Sequence, residues 1–156
     1  MPCARDLVYT GRVDPRWSFL RRSWFAIAAL AVAAAGAVSA AGGERGLTPG
    51  VERVMRAVGQ AHVETGAPIT VHTDVHSRSG LVAQKVLGEE GVDLTKVVIG
   101  HCGDSTDLDY QCALADAGSY LGMDRFGLDI LLPFEQRVDT VAALAKRGYA
   151  EKMVLA

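Results

Sequence analysis

The chain has 156 residues, 49% of them hydrophobic, with 16 basic and 18 acidic side chains and a net charge of −2. That length supports one domain with a buried core and excludes a second globular unit, and without a basic surplus a nucleic acid partner is excluded as well. Cys3, Cys102 and Cys112 are odd in number and form no Cys-x-x-Cys pair, which argues against a disulfide framework or a thiolate zinc site and for a reducing, cytoplasmic location.

The first 45 residues are set apart from the rest. Within them the uncharged, alanine-dominated stretch 24–41 follows Arg21 and Arg22 and is expected to form an apolar helix. A positive flank, a short apolar run and small residues after it describe an export signal or a membrane anchor. The alternatives are a buried helix and a misread start or frame. Export, or contact with a membrane, would come through this segment alone.

Regular alternation begins after Gly42. Thr48 is placed to cap a helix with Pro49 at its first position, and Val51, Val54, Met55, Val58 and His62 recur at helical spacing until Gly66. A β-rich run, 68–72, ends in His72. A helix over 79–90 closes at Gly91, and the strand 96–101 ends in His101. The next helix, 108–117, stops at Gly118, and the strand 119–125 ends in Asp124 and Arg125. A last helix, 134–147, stops at Gly148 before an apolar strand, 152–156.

Four strands alternating with four helices predict crossover units of a parallel sheet, doubly wound or barrel. The glycine patterns of phosphate loops and dinucleotide sites are absent. In parallel barrels the groups that act on substrate stand at the carboxyl ends of strands, where this sequence places His72, His101 and Arg125. Neutral imidazoles suit zinc, and two on neighbouring strands can share an ion, although a catalytic zinc usually has three protein ligands. Thr73, Asp74 and the run 102–107 add carboxylates and hydroxyls able to orient such ligands. The plainer reading is a hydrogen-bonded pair of loop histidines, with Arg125 in an ordinary ion pair with Asp124 or Asp129. His76 is a weaker candidate, and His62, inside a helix, reads as a packing or surface residue.

The segments GAPITVHT, EEGVDL followed by VVIGHCGDSTD, YLGMDRFGLD and KRGYAEKMVL resemble the phosphotriesterase family, in particular the phosphotriesterase-like lactonase branch of the amidohydrolase superfamily. The resemblance runs over 46–156. It implies a TIM-type (β/α) barrel, of which this chain carries about four βα units preceded by the Ala-rich helix. It further implies two divalent metals, zinc among the candidates, bridged by a carboxylated lysine and a hydroxide that attacks lactone or organophosphate esters, and a tendency to pair as homodimers. His72 and His101 match the histidines that hold the more exposed metal, and Arg125 the arginine lining the substrate pocket.

The departures bear on activity. No His-x-His motif occurs, Ser39 stands where the bridging lysine belongs, no lysine precedes Lys85, and the catalytic aspartate expected after the KMVL strand is not reached before Ala156. No catalytic residue is therefore assigned. The resulting reading is a metal-dependent hydrolase, truncated and impaired, with one incomplete metal site and open sheet edges that predict reliance on association. The alternative is a non-catalytic, membrane-associated or scaffold remnant of the same fold.

Overall fold

A computed structural model describes residues 47–156. The expected helix at 24–41, Ser39 and Cys3 lie outside the described residues. The first described element is α1 (Pro49–Thr65), built as its ends foretell: the Thr48 hydroxyl accepts from the Val51 N–H at 3.3 Å, Pro49 occupies the first turn, and Gly66 takes a left-handed conformation at φ 70° while its N–H donates to His62 O. His62 is a packing residue; it is buried, with Nδ1 2.6 Å from the Ala67 carbonyl.

Then follow β1 (Ile69–Val71), α2 (Ser79–Glu89), β2 (Val97–Ile99), α3 (Leu108–Asp116), β3 (Tyr120–Met123), α4 (Phe134–Lys146) and β4 (Met153–Leu155). Short 3-10 turns at Leu94–Lys96, Cys102–Asp104 and Ala150–Lys152 were not foreseen. The first and last carry the chain from helix into strand, and the middle one follows His101.

The four strands are parallel and lie in chain order, β1-β2-β3-β4, with Ile69 opposite Val97, Ile99 opposite Leu121 and Met123 opposite Leu155. A doubly wound sheet reverses its strand order at a switch point, whereas unbroken chain order with a helix after each strand is the arrangement of a barrel wall. The described residues form part of such a barrel.

Val97, Ile99, Leu121 and Met123 are fully buried and pack with Met55, Val58, Ala83, Leu87, Leu114 and Leu144 from the helices. Each of these side chains larger than alanine contributes about 1.5–3 kcal/mol on burial. Gly80 lets α2 approach α3 closely: its N–H donates to the Tyr110 hydroxyl at 3.2 Å, and an added Cβ would collide with that oxygen. Gln84 binds the Leu114 carbonyl and Ser119 hydroxyl, tying α2 to the entrance of β3.

Among the described residues the outer edges of β1 and β4 have no strand partner. Val154 and Leu155 are exposed, and Ile130, in the loop before α4, is 90% exposed. No described helix is long and apolar enough to cross a membrane.

Candidate functional site

The strand ladders stop short of the residues singled out in the sequence. His72 lies just beyond β1, while His101 and Arg125 both turn into the left-handed region at φ 66° and 65°. That conformation costs a non-glycine residue of order 1–3 kcal/mol and persists where surrounding contacts enforce it. For His101 the enforcing group is Asp124. One carboxylate oxygen accepts the His101 backbone N–H at 3.2 Å, and the other lies 3.0 Å from ring Nδ1.

Two glycines make this approach possible. A Cβ at Gly122 would stand 3.0 Å from Gly100 Cα and 3.1 Å from Ile99 O, and one at Gly100 would stand 3.0 Å from Val71 O. The three strand ends therefore come together with no side chain between their backbones at this level. Thr73, buried, donates to Gly100 O at 2.8 Å and fixes the loop after β1 to the end of β2.

His101 Nε2 lies 2.9 Å from His72 Nδ1, with ring centroids 4.0 Å apart and planes at 76°. A carboxylate only accepts, so Asp124 places the His101 proton on Nδ1 and leaves Nε2 bare; the bridging proton then belongs to His72. Replacing that proton by a cation requires a tautomer shift on His72 and a turn of both rings towards a point off the N···N line. A tetrahedral zinc with bonds of about 2.0–2.1 Å holds two ligand nitrogens about 3.3 Å apart, so the rings need spread by only a few tenths of an ångström. The pair thus fits a shared divalent ion as two of its ligands, and Asp124 fits the outer carboxylate that fixes a ligating imidazole. Among the described residues no group of three or more His, Cys, Asp or Glu is placed to hold a metal ion. Burial, followed by the neighbouring His101 and Arg125, holds His72 below the ordinary imidazole value, which favours the neutral, ligand-competent form.

Arg125 does not pair with Asp124 or Asp129. Asp124 is committed to His101 and Asp129 is exposed on the following loop. Instead Arg125 Nη1 donates to Oδ2 of the nearly buried Asp104 at 2.8 Å. His76 is exposed and takes part through its backbone, its N–H donating to Asp74 within the turn after β1. In that turn burial raises the Asp74 carboxyl, but hydrogen bonds from Ser77 and His76 outweigh it and leave the pKa lowered.

Sequence reasoning missed Arg137 altogether. It is fully buried in α4, with Nη1 2.7 Å from Asp104 Oδ1. A signal was present: Arg137 lies one heptad before the buried Leu144, on the same face as buried Thr140, so an arginine occupies a core position of an amphipathic helix.

A sequence profile of the Phosphotriesterase family matches residues 27–156, starting inside the stretch set apart above. The phosphotriesterase homology protein of Mycobacterium tuberculosis is 61% identical over 121 residues, which cover 78% of this chain and 37% of that protein. The aryldialkylphosphatase of Saccharolobus solfataricus is 46% identical over 121 residues, covering 78% and 38%. The solved structure of the phosphotriesterase from Mycobacterium tuberculosis superposes with a TM-score of 0.70 at 63% identity, covering 72% of this chain and 35% of that one. The chain thus spans well under half the length of the relatives it matches.

Proposed function

The chain belongs to the phosphotriesterase family, and on that premise we propose that it supplies part of the active site of a metal-dependent ester hydrolase, with His72 and His101 holding one divalent ion, zinc by ligand chemistry. The observation that carries this reading is the pair of ring nitrogens, His72 Nδ1 and His101 Nε2, facing each other at the strand ends with Asp124 behind His101. When bound, a divalent ion supplies Lewis acidity towards an ester oxygen and lowers the pKa of water beside it.

The protein's own groups have separate tasks. Asp124 keeps the His101 proton on Nδ1 and its ring in place. Arg125, half-buried and aimed by Asp104, offers a fixed cation to a carbonyl or phosphoryl oxygen on which negative charge builds. Lactones and organophosphate triesters both present such an oxygen, and the names borne by the relatives favour the second. The described residues contribute two ligands, so turnover by this chain is expected to be weak and to depend on further ligands.

Three sparsely placed cysteines without a Cys-x-x-Cys pair favour a reducing compartment, the cytoplasm, as its location. Exposed Leu128, Ile130, Leu131 and Phe134 support self-association.

The test is to purify the full chain with zinc or cobalt, measure metal per chain, and assay a lactone and an aryl dialkyl phosphate with and without a chelator. Retained metal and a slow, chelator-sensitive hydrolysis that disappears in His101→Ala are expected. A chain that retains no metal, or hydrolysis indifferent to both chelator and substitution, contradicts the proposal.

A further inference from the structure

We propose that Arg137, remote from the mouth surface, is the positioning residue that sets both Arg125 and the histidine pair; the inference rests on the roles proposed for those groups. Its guanidinium has no solvent exposure and reaches three segments at once. Nη1 donates to Gly103 O at 2.8 Å and Asp104 Oδ1 at 2.7 Å in the turn after β2, and to Asp124 O at 3.3 Å at the end of β3. Nε and Nη2 donate to Leu132 O at 3.0 Å and Leu128 O at 3.3 Å in the loop leading to α4.

Two routes lead outward from this centre. In the first, the Asp104 carboxylate lies between two guanidiniums, with Oδ1 on Arg137 and Oδ2 on Arg125. Because Arg137 is immobile, Asp104 is held in one orientation and Arg125 is aimed by it. In the second, Arg137 anchors the main chain of Asp124, whose side chain grips His101 twice. A lysine cannot replace this fork, because an ammonium group has no planar set of five donors with which to serve acceptors from three segments. Two αL residues of the mouth, His101 and Arg125, are thereby tied to one buried cation. A core filler would need none of these directed bonds.

The test uses the full chain and two substitutions. Arg137→Lys keeps the charge and loses the fork; Asp104→Asn turns an amide N–H2 towards one guanidinium and breaks the first route only. Arg125 reactivity is read by phenylglyoxal labelling and peptide mass spectrometry, with the exposed Arg147 as internal reference, and the histidine pair by cobalt(II) titration. Asp104→Asn should label several times faster at Arg125, with Arg147 and cobalt affinity unchanged. Arg137→Lys should speed Arg125 labelling and also weaken cobalt binding by about 10-fold or more, as loss of outer-shell support does.

Arg125 labelling at the wild-type rate in folded variants overturns the inference. Should Arg137→Lys fail to fold, Asp104→Asn alone decides by the labelling ratio. If the wild-type chain binds no cobalt, the metal reading fails, while labelling still decides whether Arg125 is aimed from Arg137.

Discussion

The same two strands, β2 and β3, carry two kinds of structure. Along their length Val97, Ile99, Leu121 and Met123 are fully buried among helix side chains and need only volume and shape from their neighbours. At their carboxyl ends His101, Asp104, Asp124 and Arg125 meet through directed, charged hydrogen bonds, which fail by changing angle or partner. The contrast teaches that stability and site geometry are separable here: removing apolar volume costs free energy but leaves the mouth aimed, and removing a polar anchor misaims the mouth at modest cost to the core.

The largest effect that would break this separation lies in the core. Leu114→Ala removes a fully buried side chain from α3 and should cost about 2–5 kcal/mol in denaturant unfolding. Arg125 labelling and metal affinity of the folded fraction should stay at wild-type values. A change in either would show that the two regions are mechanically one.

Next in size is Asp124→Asn, which turns the best acceptor for His101 Nδ1 into an amide. Zinc affinity should fall about 10-fold or more, since outer-shell partners of ligating histidines have that leverage, while the unfolding midpoint moves little.

The smallest effect tests the seam between the regions. Asp107 caps α3, accepting from the Tyr110 N–H at 3.0 Å, and also takes a pair of bonds from Arg78. The Tyr110 N–H is the largest influence on its carboxyl; against the opposing effect of burial, this bond and Arg78 hold the pKa below the ordinary 3.8. A carboxyl with a lower pKa folded than unfolded stabilises above the unfolded value and loses that contribution as pH falls through the folded one. Asp107→Asn keeps a capping oxygen, so stability at neutral pH should drop by less than about 1 kcal/mol. The acid limb of the stability curve below the ordinary carboxylate value should flatten. An unchanged limb would show that Asp107 is not linked to folding.

What could be read in the sequence was local. Helix ends at Gly66, Gly91, Gly118 and Gly148 were visible because each needs a positive φ, observed at 70°, 82°, 112° and 93°. The strands were visible as apolar runs, and their ends located His72, His101 and Arg125 in the mouth. The partners in the mouth were not visible. Asp124 meets His101 across 23 residues, Asp104 meets Arg125 across 21 and Arg137 across 33. Nothing in a window around Arg125 favours Asp104 over the nearer Asp124 and Asp129; only the folded register shows Asp124 already engaged. The 3-10 turn at Cys102–Asp104 was equally hidden, because His101 enters it through a left-handed conformation that only the grip of Asp124 sustains.

The central claim is that His72 and His101 share one metal ion. Zinc affinity of the full chain, measured by competition with a chromophoric chelator, tests it directly in the wild type, His72→Ala, His101→Ala and the double variant. A shared ion predicts that either single substitution removes most of the affinity and that the second adds little, a strongly non-additive cycle. Equal zinc binding by the wild type and the double variant, or single losses that simply multiply, would contradict it.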